Sequence, residues 1–361
     1  MIAASRPVHR PADARVLGVD AAGYLSHAWR RDWIDRLGRG DVVVANDAAT
    51  IPASLRGTHR RSGRAIEVRL AGRDSLLPAA IDRVSAVVFG EGDYRTPTER
   101  RAVPPALTPG DCLLLGPLTA RVTGILDHPR FVSLDFEGPT ARIWEAIARH
   151  GRPVQYAHVP DPLAIWDTWT ALAARPVAFE SPSAGFTLTW TLVRTLAARG
   201  IRFATLTHAA GLSSTGDPRL DARFPLDEPY DIPRATARLV NRARAHGRRI
   251  IAVGTSVVRA LEHAARVTGR VRAGHGLATG RLGPHSPLRI VDALLSGTHE
   301  PGTSHYELLR AFAPDTTLTR MDAELDSAAY RTHEFGDSVF IERAGARDAE
   351  LGGRRSLSPE P

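Results

Sequence analysis

The sequence has 361 residues, 43% of them hydrophobic, and its single cysteine, Cys112, excludes an internal disulfide and a multi-cysteine zinc site. The net charge is +8, and all 47 basic residues are arginines, which excludes a Schiff base on a lysine side chain. No segment approaches the roughly 20 consecutive apolar residues of a membrane span, and the N-terminal stretch MIAASRPVHRPADARV has no apolar core, so the sequence predicts a cytoplasmic protein without membrane association.

The chain begins with the pattern of an α/β fold. Residues 13–20, DARVLGVD, predict a strand, and residues 32–37 predict a helix. GDVVVAND, residues 40–47, is a short apolar run between turn residues, which is typical of a buried strand. Its last residues, Asn46 and Asp47, place polar side chains at the end of that strand.

The pattern changes between residues 58 and 139, where short strand-like segments are separated by Gly, Pro and Asp. These segments are AIEVRL, AAIDRVSAVVFG, DCLLLG, TARVTGIL and RFVSLDF. Their even spacing is typical of a small barrel or sandwich. We therefore expect a β-rich domain at 58–139, inserted into an α/β domain made of residues 1–57 and 140–343. The polar, Gly- and Pro-rich tail, 344–361, is predicted to be disordered.

Helical periodicity returns after residue 140, in alternation with strands. LTWTLVRTLAARG places Leu188, Leu192 and Leu196 on one face and stops at Gly200, before the strand-like IRFATLTH. ATARLVNRARAHG then predicts a second helix, followed by the strand RRIIAVG. This repeated order of helix, glycine and strand predicts an α/β sheet.

Gly254, Thr255 and Ser256 lie between a predicted strand and a predicted helix. Open α/β sheets bind ligands at the carboxyl ends of their strands, and a helix N-terminus offers free amides and partial positive charge. Arg259 and Glu262 are three positions apart and therefore share one helix face. The alternative is a helix cap formed by Thr255 or Ser256, with Arg259 and Glu262 as a surface ion pair.

Three further segments are candidates for a site. ESPSAGF, residues 180–186, brings small residues to the start of a helix, where backbone can approach a ligand closely. The loop LTHAAGLSSTGD, residues 206–217, follows a strand and contains His208, a possible acid or base. LDEPYDIP contains Asp227 and Glu228, of which one could serve as a base if buried. Tight loops and a solvated acidic turn are the alternatives.

Histidines and charge give weaker indications. His299 and His305 do not have the spacing of a helical metal pair and no third ligand is evident, so no metal site is predicted. The arginine excess is compatible with nucleic-acid binding, and a solvated basic surface is the alternative. Gly336 and Asp337 form a turn signal before an apolar strand.

The order of five segments resembles the S-adenosylmethionine:tRNA ribosyltransferase-isomerase family from about residue 15 to residue 341. The segments are GDVVVANDAATIPASLRG, SPSAGF, IIAVGTSVVRALE, VDALLSGTHEPGTS and YRTHEFGD. The resemblance implies an α/β domain with an inserted small β-barrel. It also implies transfer and isomerisation of the ribosyl moiety of S-adenosylmethionine onto 7-aminomethyl-7-deazaguanine in tRNA. The product would be epoxyqueuosine, with adenine and methionine released.

The resemblance also implies site residues and partners. The catalytic candidates that it gives are Glu228, His299, His208 and Asp337. The candidates for binding S-adenosylmethionine are Ser183, Gly185, Gly254, Thr255, Ser256, Arg259, Asn46 and Asp47. With this resemblance, Arg259 is expected to meet a carboxylate or phosphate of the ligand, and Glu262 is expected to orient Arg259. S-adenosylmethionine is expected as co-substrate, tRNA as partner, no metal as cofactor, and a monomer as the oligomeric state.

The chain departs from the family pattern at several polar positions. Ala49 and Ser54 stand where the family has arginines, and Thr187 stands where it has a histidine. Thr207 occupies another histidine position, with His208 one place later. These changes identify a divergent member and leave two alternatives: a paralogue that uses a different acceptor, and a non-catalytic protein that binds nucleotides or RNA.

Overall fold

The computed structural model describes residues 1–5 and 14–345 of the chain. The predicted disordered tail lies outside the described residues, except for Ala344 and Gly345, which form a turn. The first five strands are β1 (Ile2–Ala3), β2 (Arg15–Val19), β3 (Leu25–Trp29), β4 (Val42–Asn46) and β5 (Ala48–Thr50). The segment predicted as a helix before β4 is a 3-10 helix, Arg30–Arg36.

Six strands follow as a closed barrel. They are β6 (Ser54–His59), β7 (Ala65–Gly72), β8 (Arg83–Phe89), β9 (Cys112–Leu115), β10 (Leu118–His128) and β11 (Phe131–Phe136). Their order around the barrel is β10-β11-β8-β7-β6-β9, and every neighbouring pair is antiparallel. Closure removes the free edges that an open sheet of this size would expose. The predicted fold class, α/β with an inserted small β-barrel, is confirmed.

The barrel has its own hydrophobic core, which one helix completes. Inward residues such as Leu55, Val68 and Leu113 are almost fully buried. Helix α1 (Thr140–His150) adds Ile143 and Ile147 to the same cluster. Strand β6 crosses the predicted boundary at residue 58, and the division of the chain into domains stays a prediction.

The remaining elements build an α/β layer. The strands are β12 (Arg175–Ala178), β13 (Arg202–His208), β14 (Glu228–Ile232), β15 (Ile250–Val253), β16 (Gly274–Ala278), β17 (Ala293–Gly297), β18 (Arg331–Thr332) and β19 (Ser338–Glu342). The helices are α2 (Trp190–Ala198), α3 (Pro218–Asp221), α4 (Arg234–Ala245), α5 (Thr255–Ala265), α6 (Ser304–Leu309) and α7 (Asp315–Ser327). Within the described part of the chain, no helix combines the length and the apolar character that crossing a bilayer requires.

A nine-stranded sheet organises this layer in the order β16-β14-β13-β4-β15-β17-β19-β2-β3. Its centre, β13-β4-β15-β17, is parallel, and the strands that flank this centre are antiparallel to it. The carboxyl ends of the four central strands therefore meet along one edge of the sheet, where ligands bind in folds of this kind.

The central strands are apolar on both faces because both faces are covered. In β4, Val42 and Val44 join the core beneath α4 and α5, while Val43 and Ala45 join the core beneath α2. This alternation follows from the two-residue period of a strand. A continuous apolar run is the pattern expected of a parallel strand that is buried on both sides.

Candidate active site

A cavity of about 620 Å³ lies at the carboxyl ends of the central strands. Its sheet side is formed by residues that end or follow β13, β15 and β17, and its other side includes Pro97, Thr98 and Glu99 from the barrel loop before β9. This volume lies within the range of small-molecule sites, which is roughly 300–1,000 Å³. The cavity is therefore the candidate active site.

The turn that leads into α5 depends on the backbone conformation of a glycine. Gly254 is the residue before the helix and has φ 98°, a left-handed conformation that side chains other than glycine rarely adopt. The helix has no side-chain cap, so the prediction that Thr255 or Ser256 caps it is wrong. Gly254, Thr255 and Ser256 all line the cavity instead.

Arg259 and Glu228 form a buried ion pair in the cavity wall. Arg259 Nη1 donates to Glu228 Oε2, and Arg259 Nη2 donates to the carbonyls of Leu226, at 2.9 Å, and Ala278, at 3.0 Å. Glu228 Oε1 accepts from the amide of Gly211 at 2.7 Å. Burial raises the pKa of Glu228, and the positive charge of Arg259 opposes that rise. Arg259 therefore already has a carboxylate partner within the protein.

The prediction that Glu262 orients Arg259 is wrong. The Glu262 carboxylate accepts from the amides of Arg289, at 2.7 Å, Ile290, at 2.9 Å, and Val291, at 2.8 Å. Glu262 and Arg259 are both 6% exposed, so they are not a surface pair either. Three backbone amides satisfy the buried carboxylate, and Glu262 anchors the segment that leads into β17.

His208 ends β13 and lies behind Glu228, outside the residues that line the cavity. Its side chain is fully buried, and its Nε2 is 3.4 Å from Glu228 Oε2. Burial and the nearby charge of Arg259 lower the pKa of His208 well below its ordinary value, so the imidazole is neutral.

Asn46 and Asp47 do not line the cavity. Their side chains form hydrogen bonds that connect the end of β4 to the end of β13. Asn46 Nδ2 donates to the carbonyl of His208 at 2.9 Å, and its Oδ1 accepts from the amide of His208 at 3.0 Å. The same Nδ2 lies 3.3 Å from Ser256 Oγ, which does line the cavity. Asp47 accepts from Thr207 Oγ1 at 2.6 Å.

The predicted SPSAGF loop forms a short 3-10 helix, Ser183–Thr187. Ser183 lines the cavity, whereas Gly185 does not. Gly185 lies close to Thr170. A Cβ added at this glycine would be 3.1 Å from Thr170 Cγ2, which leaves little room for a larger residue.

Asp337 lies outside the cavity lining, where two backbone amides and the guanidinium groups of Arg15 and Arg331, each 3.4 Å away, surround its carboxylate. It accepts from the amides of Arg15, at 2.8 Å, and Arg331, at 2.9 Å, and it is 1% exposed. These contacts tie β2 to the turn before β19. Among the predicted catalytic residues, the structure brings Glu228 and His299 to the cavity and leaves His208 and Asp337 outside its lining.

His299 and His305 are neighbours in the cavity wall, with ring centroids 4.7 Å apart. His299 Nε2 lies 2.8 Å from Ser296 Oγ, which fixes the orientation of the ring. Burial lowers the pKa of His299 well below its ordinary value and that of His305 to about 4. Both rings are therefore neutral at neutral pH and can each donate and accept a hydrogen bond.

Several cavity residues carry no sequence signal that singled them out. Tyr156 and Glu180 face the cavity, and Tyr156 Oη donates to Glu180 Oε1 at 2.5 Å. Burial raises the pKa of Glu180 to about 7. Glu180 opens the ESPSAGF segment, but only the small residues of that segment drew attention. Tyr156 lies in an irregular loop without periodicity.

His158, His333 and Glu334 form the one group among the described residues whose ligand atoms are close enough to hold a metal ion, all within 4.8 Å. The two rings are stacked at 4.1 Å, with an interplanar angle of 15°. A metal bound by both ring nitrogens should lie near the plane of each ring, and these nearly parallel planes do not converge. The group therefore fits chelation poorly in this arrangement, and the expected absence of a metal stays a prediction.

Comparison with known proteins identifies the family of this chain. Residues 1–341 match the family model described as queuosine biosynthesis protein. Relatives named S-adenosylmethionine:tRNA ribosyltransferase-isomerase include one from Sorangium cellulosum, 33% identical over 94% of each chain, and one from Anaeromyxobacter sp., 33% identical over 95% of this chain and 96% of the relative. The crystal structure of an S-adenosylmethionine tRNA ribosyltransferase from Thermotoga maritima matches with a TM-score of 0.49 and 23% identity, covering 94% of this chain and 96% of that chain. The family match over nearly the whole chain shows that this protein belongs to the queuosine biosynthesis protein family.

Proposed function

We propose that this protein is an S-adenosylmethionine:tRNA ribosyltransferase-isomerase that acts on 7-aminomethyl-7-deazaguanine in tRNA. One observation carries the proposal. In a chain that belongs to the family over residues 1–341, a single cavity collects Ser183, Glu228, Thr255 and His299 from segments that are distant in sequence. The name of the relatives supports the same reaction.

The turn at the start of α5 suits the amino-acid part of S-adenosylmethionine. The first amides of a helix have no partner within the helix and carry partial positive charge, which favours a carboxylate. Thr255 and Ser256 add hydroxyl groups at the same place, and Gly254 lets the backbone approach the ligand. Ser183, from the 3-10 helix, lines the same cavity.

The rest of the cavity must bind the nucleoside part of the ligand and must supply a group that accepts a proton. The reaction needs a proton acceptor near C5′, because the sulfonium acidifies the hydrogens of that carbon, and it needs donors for the departing adenine. His299, neutral and oriented by Ser296, can hydrogen-bond to the nucleoside. The pair of Glu228 and Arg259 supplies a fixed dipole in the wall.

The acceptor base must leave the tRNA stack to reach a cavity of this kind, which costs a few kcal/mol. Residues 97–99 of the barrel loop line the cavity, so the barrel rim is the surface that we expect tRNA to contact. The monomeric state and the cytoplasmic location stay predictions from the sequence.

The test uses purified protein, S-adenosylmethionine and tRNA that carries 7-aminomethyl-7-deazaguanine. We expect release of adenine and the appearance of epoxyqueuosine in nuclease digests of the tRNA. The matched control is the same tRNA with guanine at that position. Adenine release no greater than in this control would overturn the proposal.

A different acceptor is the second candidate, and the replaced polar positions favour it. Ala49 is buried, Ser54 donates to Glu67 Oε1 at 2.8 Å, and Thr187 donates to the carbonyl of Ala184 at 2.7 Å. None of these three side chains carries the charge that an arginine would bring for phosphate recognition. Adenine release with free 7-aminomethyl-7-deazaguanine but not with the modified tRNA would support this candidate.

A further inference from the structure

We propose that Glu180 is the proton acceptor of this cavity and that Tyr156 is its positioning residue. The inference rests on the proposed function, because it assigns the base that the reaction at C5′ needs. Neither residue is among the catalytic or binding residues predicted from the sequence, although Glu180 opens the candidate segment 180–186.

The hydrogen bonds around Glu180 accommodate both of its protonation states. Tyr156 Oη lies 2.5 Å from Glu180 Oε1 and 3.2 Å from the carbonyl oxygen of Ser214. A phenol has one proton to donate. When Glu180 is ionised, Tyr156 donates to it. When Glu180 is protonated, Tyr156 can turn its proton to the carbonyl of Ser214 and accept from Glu180.

The other carboxylates that line the cavity are less suited to accept a proton. Glu228 is paired with Arg259, and Glu334 lies 3.2 Å from His158 Nε2. The remaining two, Glu99 and Glu300, are exposed. Among the cavity carboxylates in residues 1–5 and 14–345, Glu180 is the one that is not exposed and is not paired with an arginine or a histidine.

The electrostatic setting of Glu180 suits a base that works near neutral pH. Burial raises its pKa to about 7, while hydrogen bonds from Ser213 and Tyr156 limit the rise and the charge of Glu334 adds to it. The guanidinium of Arg69 lies 5.5 Å from the Tyr156 ring and is paired with Glu67. A base with a pKa near the working pH is partly ionised and still accepts a proton readily.

The step itself is a proton transfer. A Glu180 oxygen forms a bond to the hydrogen on C5′ of S-adenosylmethionine, and the C–H bond breaks. Its electron pair stays on C5′, next to the positive sulfur, and the Glu180 carboxylate becomes a neutral acid. Glu180 releases that proton to solvent before the next turnover, so atoms and charges balance.

Glu180→Gln keeps the shape of the side chain and removes the base. We expect kcat for adenine release to fall by roughly 10²- to 10⁴-fold, the usual range for a general base. Calorimetric titration should give an unchanged dissociation constant for S-adenosylmethionine, within about twofold. The control is Glu137→Gln, an exposed carboxylate that directly follows β11, pairs with Arg121 and does not line the cavity, so both quantities should stay unchanged. A Glu180→Gln protein that is folded and keeps wild-type kcat would overturn the proposal.

Tyr156→Phe tests the positioning role through a pH profile. Activity requires ionised Glu180, so kcat should rise with pH through the pKa of that carboxyl. The phenol hydrogen bond stabilises the ionised form, and its removal should move the profile of the variant to higher pH. An unchanged profile would exclude the positioning role of Tyr156.

A second readout separates this inference from the proposed function. S-adenosylmethionine deuterated at C5′ is incubated without acceptor, and loss of deuterium to water is followed by mass spectrometry. Exchange by the wild type and loss of exchange in Glu180→Gln support the base assignment, even if modified tRNA is not a substrate. Equal exchange in the two proteins, or none in either, counts against it.

Discussion

Arg259 donates to Glu228 inside the cavity wall, and this pairing makes both residues part of the framework as well as part of the site. Arg259→Ala would leave the buried Glu228 carboxylate without its cation and would free three backbone carbonyls. Breaking a buried pair in this way typically costs about 3–5 kcal/mol. Urea denaturation should show this loss, and the combined variant Arg259→Met with Glu228→Gln should lose less than Arg259→Ala alone. A stable Arg259→Ala protein with weakened ligand binding would mean that the guanidinium acts mainly on the ligand.

Thr255 and Ser256 are expected to matter for binding and not for stability, because neither caps α5. Thr255→Val and Ser256→Ala should each weaken binding of S-adenosylmethionine by roughly three- to tenfold, the effect of one lost hydrogen bond. The matched control is Thr189, which caps α2 by accepting from the amide of Leu192 at 3.1 Å. Thr189→Ala should lower stability by about 1 kcal/mol and leave binding unchanged. The reverse pattern would restore a capping role for Thr255.

His305 should make the protein sensitive to acid. Its pKa falls from an ordinary 6.5 to about 4 in the folded state because the ring is buried. The unfolded chain therefore binds the proton more tightly, and the stability that neutral His305 contributes is present above pH 6.5 and lost as the pH falls towards 4. Between pH 7 and pH 5 this loss amounts to about 2 kcal/mol. His305→Gln should flatten that part of the stability curve, measured by urea denaturation at each pH. An equal slope in the variant and the wild type would assign the acid sensitivity to other groups.

Asp337 is expected to act on stability alone. Asp337→Asn keeps the size of the side chain and weakens the charge-assisted hydrogen bonds from the amides of Arg15 and Arg331. It also removes the ion pairs with the guanidinium groups of the same two arginines. We expect a loss of about 1.5–3 kcal/mol in the free energy of unfolding. Adenine release per folded molecule should stay at the wild-type rate. A fall in kcat without a fall in stability would support the catalytic role that the sequence suggested.

The fold was largely predictable because its strands carry strong local signals. The apolar run of β4 and the short segments of the barrel each follow from periodicity and turn residues. Strand β3 was missed because LSHAW does not alternate cleanly, and its burial pattern is irregular. The start of the barrel at β6 was also not visible, since SLRGTH looks like a turn-rich linker.

The site was predictable only in part, because side-chain pairing is a tertiary property. Spacing along a helix placed Arg259 and Glu262 together, yet Arg259 pairs with Glu228, 31 positions away in sequence. Tyr156 and Glu180 likewise meet through the packing of two loops. The local sequence pattern does not show which distant residue a buried charged side chain will pair with.

The walls of the cavity are drawn from residues as distant as Thr50 and Phe335, and from both the barrel and the sheet. Contacts of such long range require the closure of long loops, whose entropic cost slows folding. A pocket of this kind can exist only once both parts have docked. A molecule that binds in the cavity stabilises the docked arrangement of barrel and sheet. The gain is about 2.7 kcal/mol when the ligand concentration is a hundred times the dissociation constant. Occupancy of the cavity and the stability of the whole fold are therefore thermodynamically coupled.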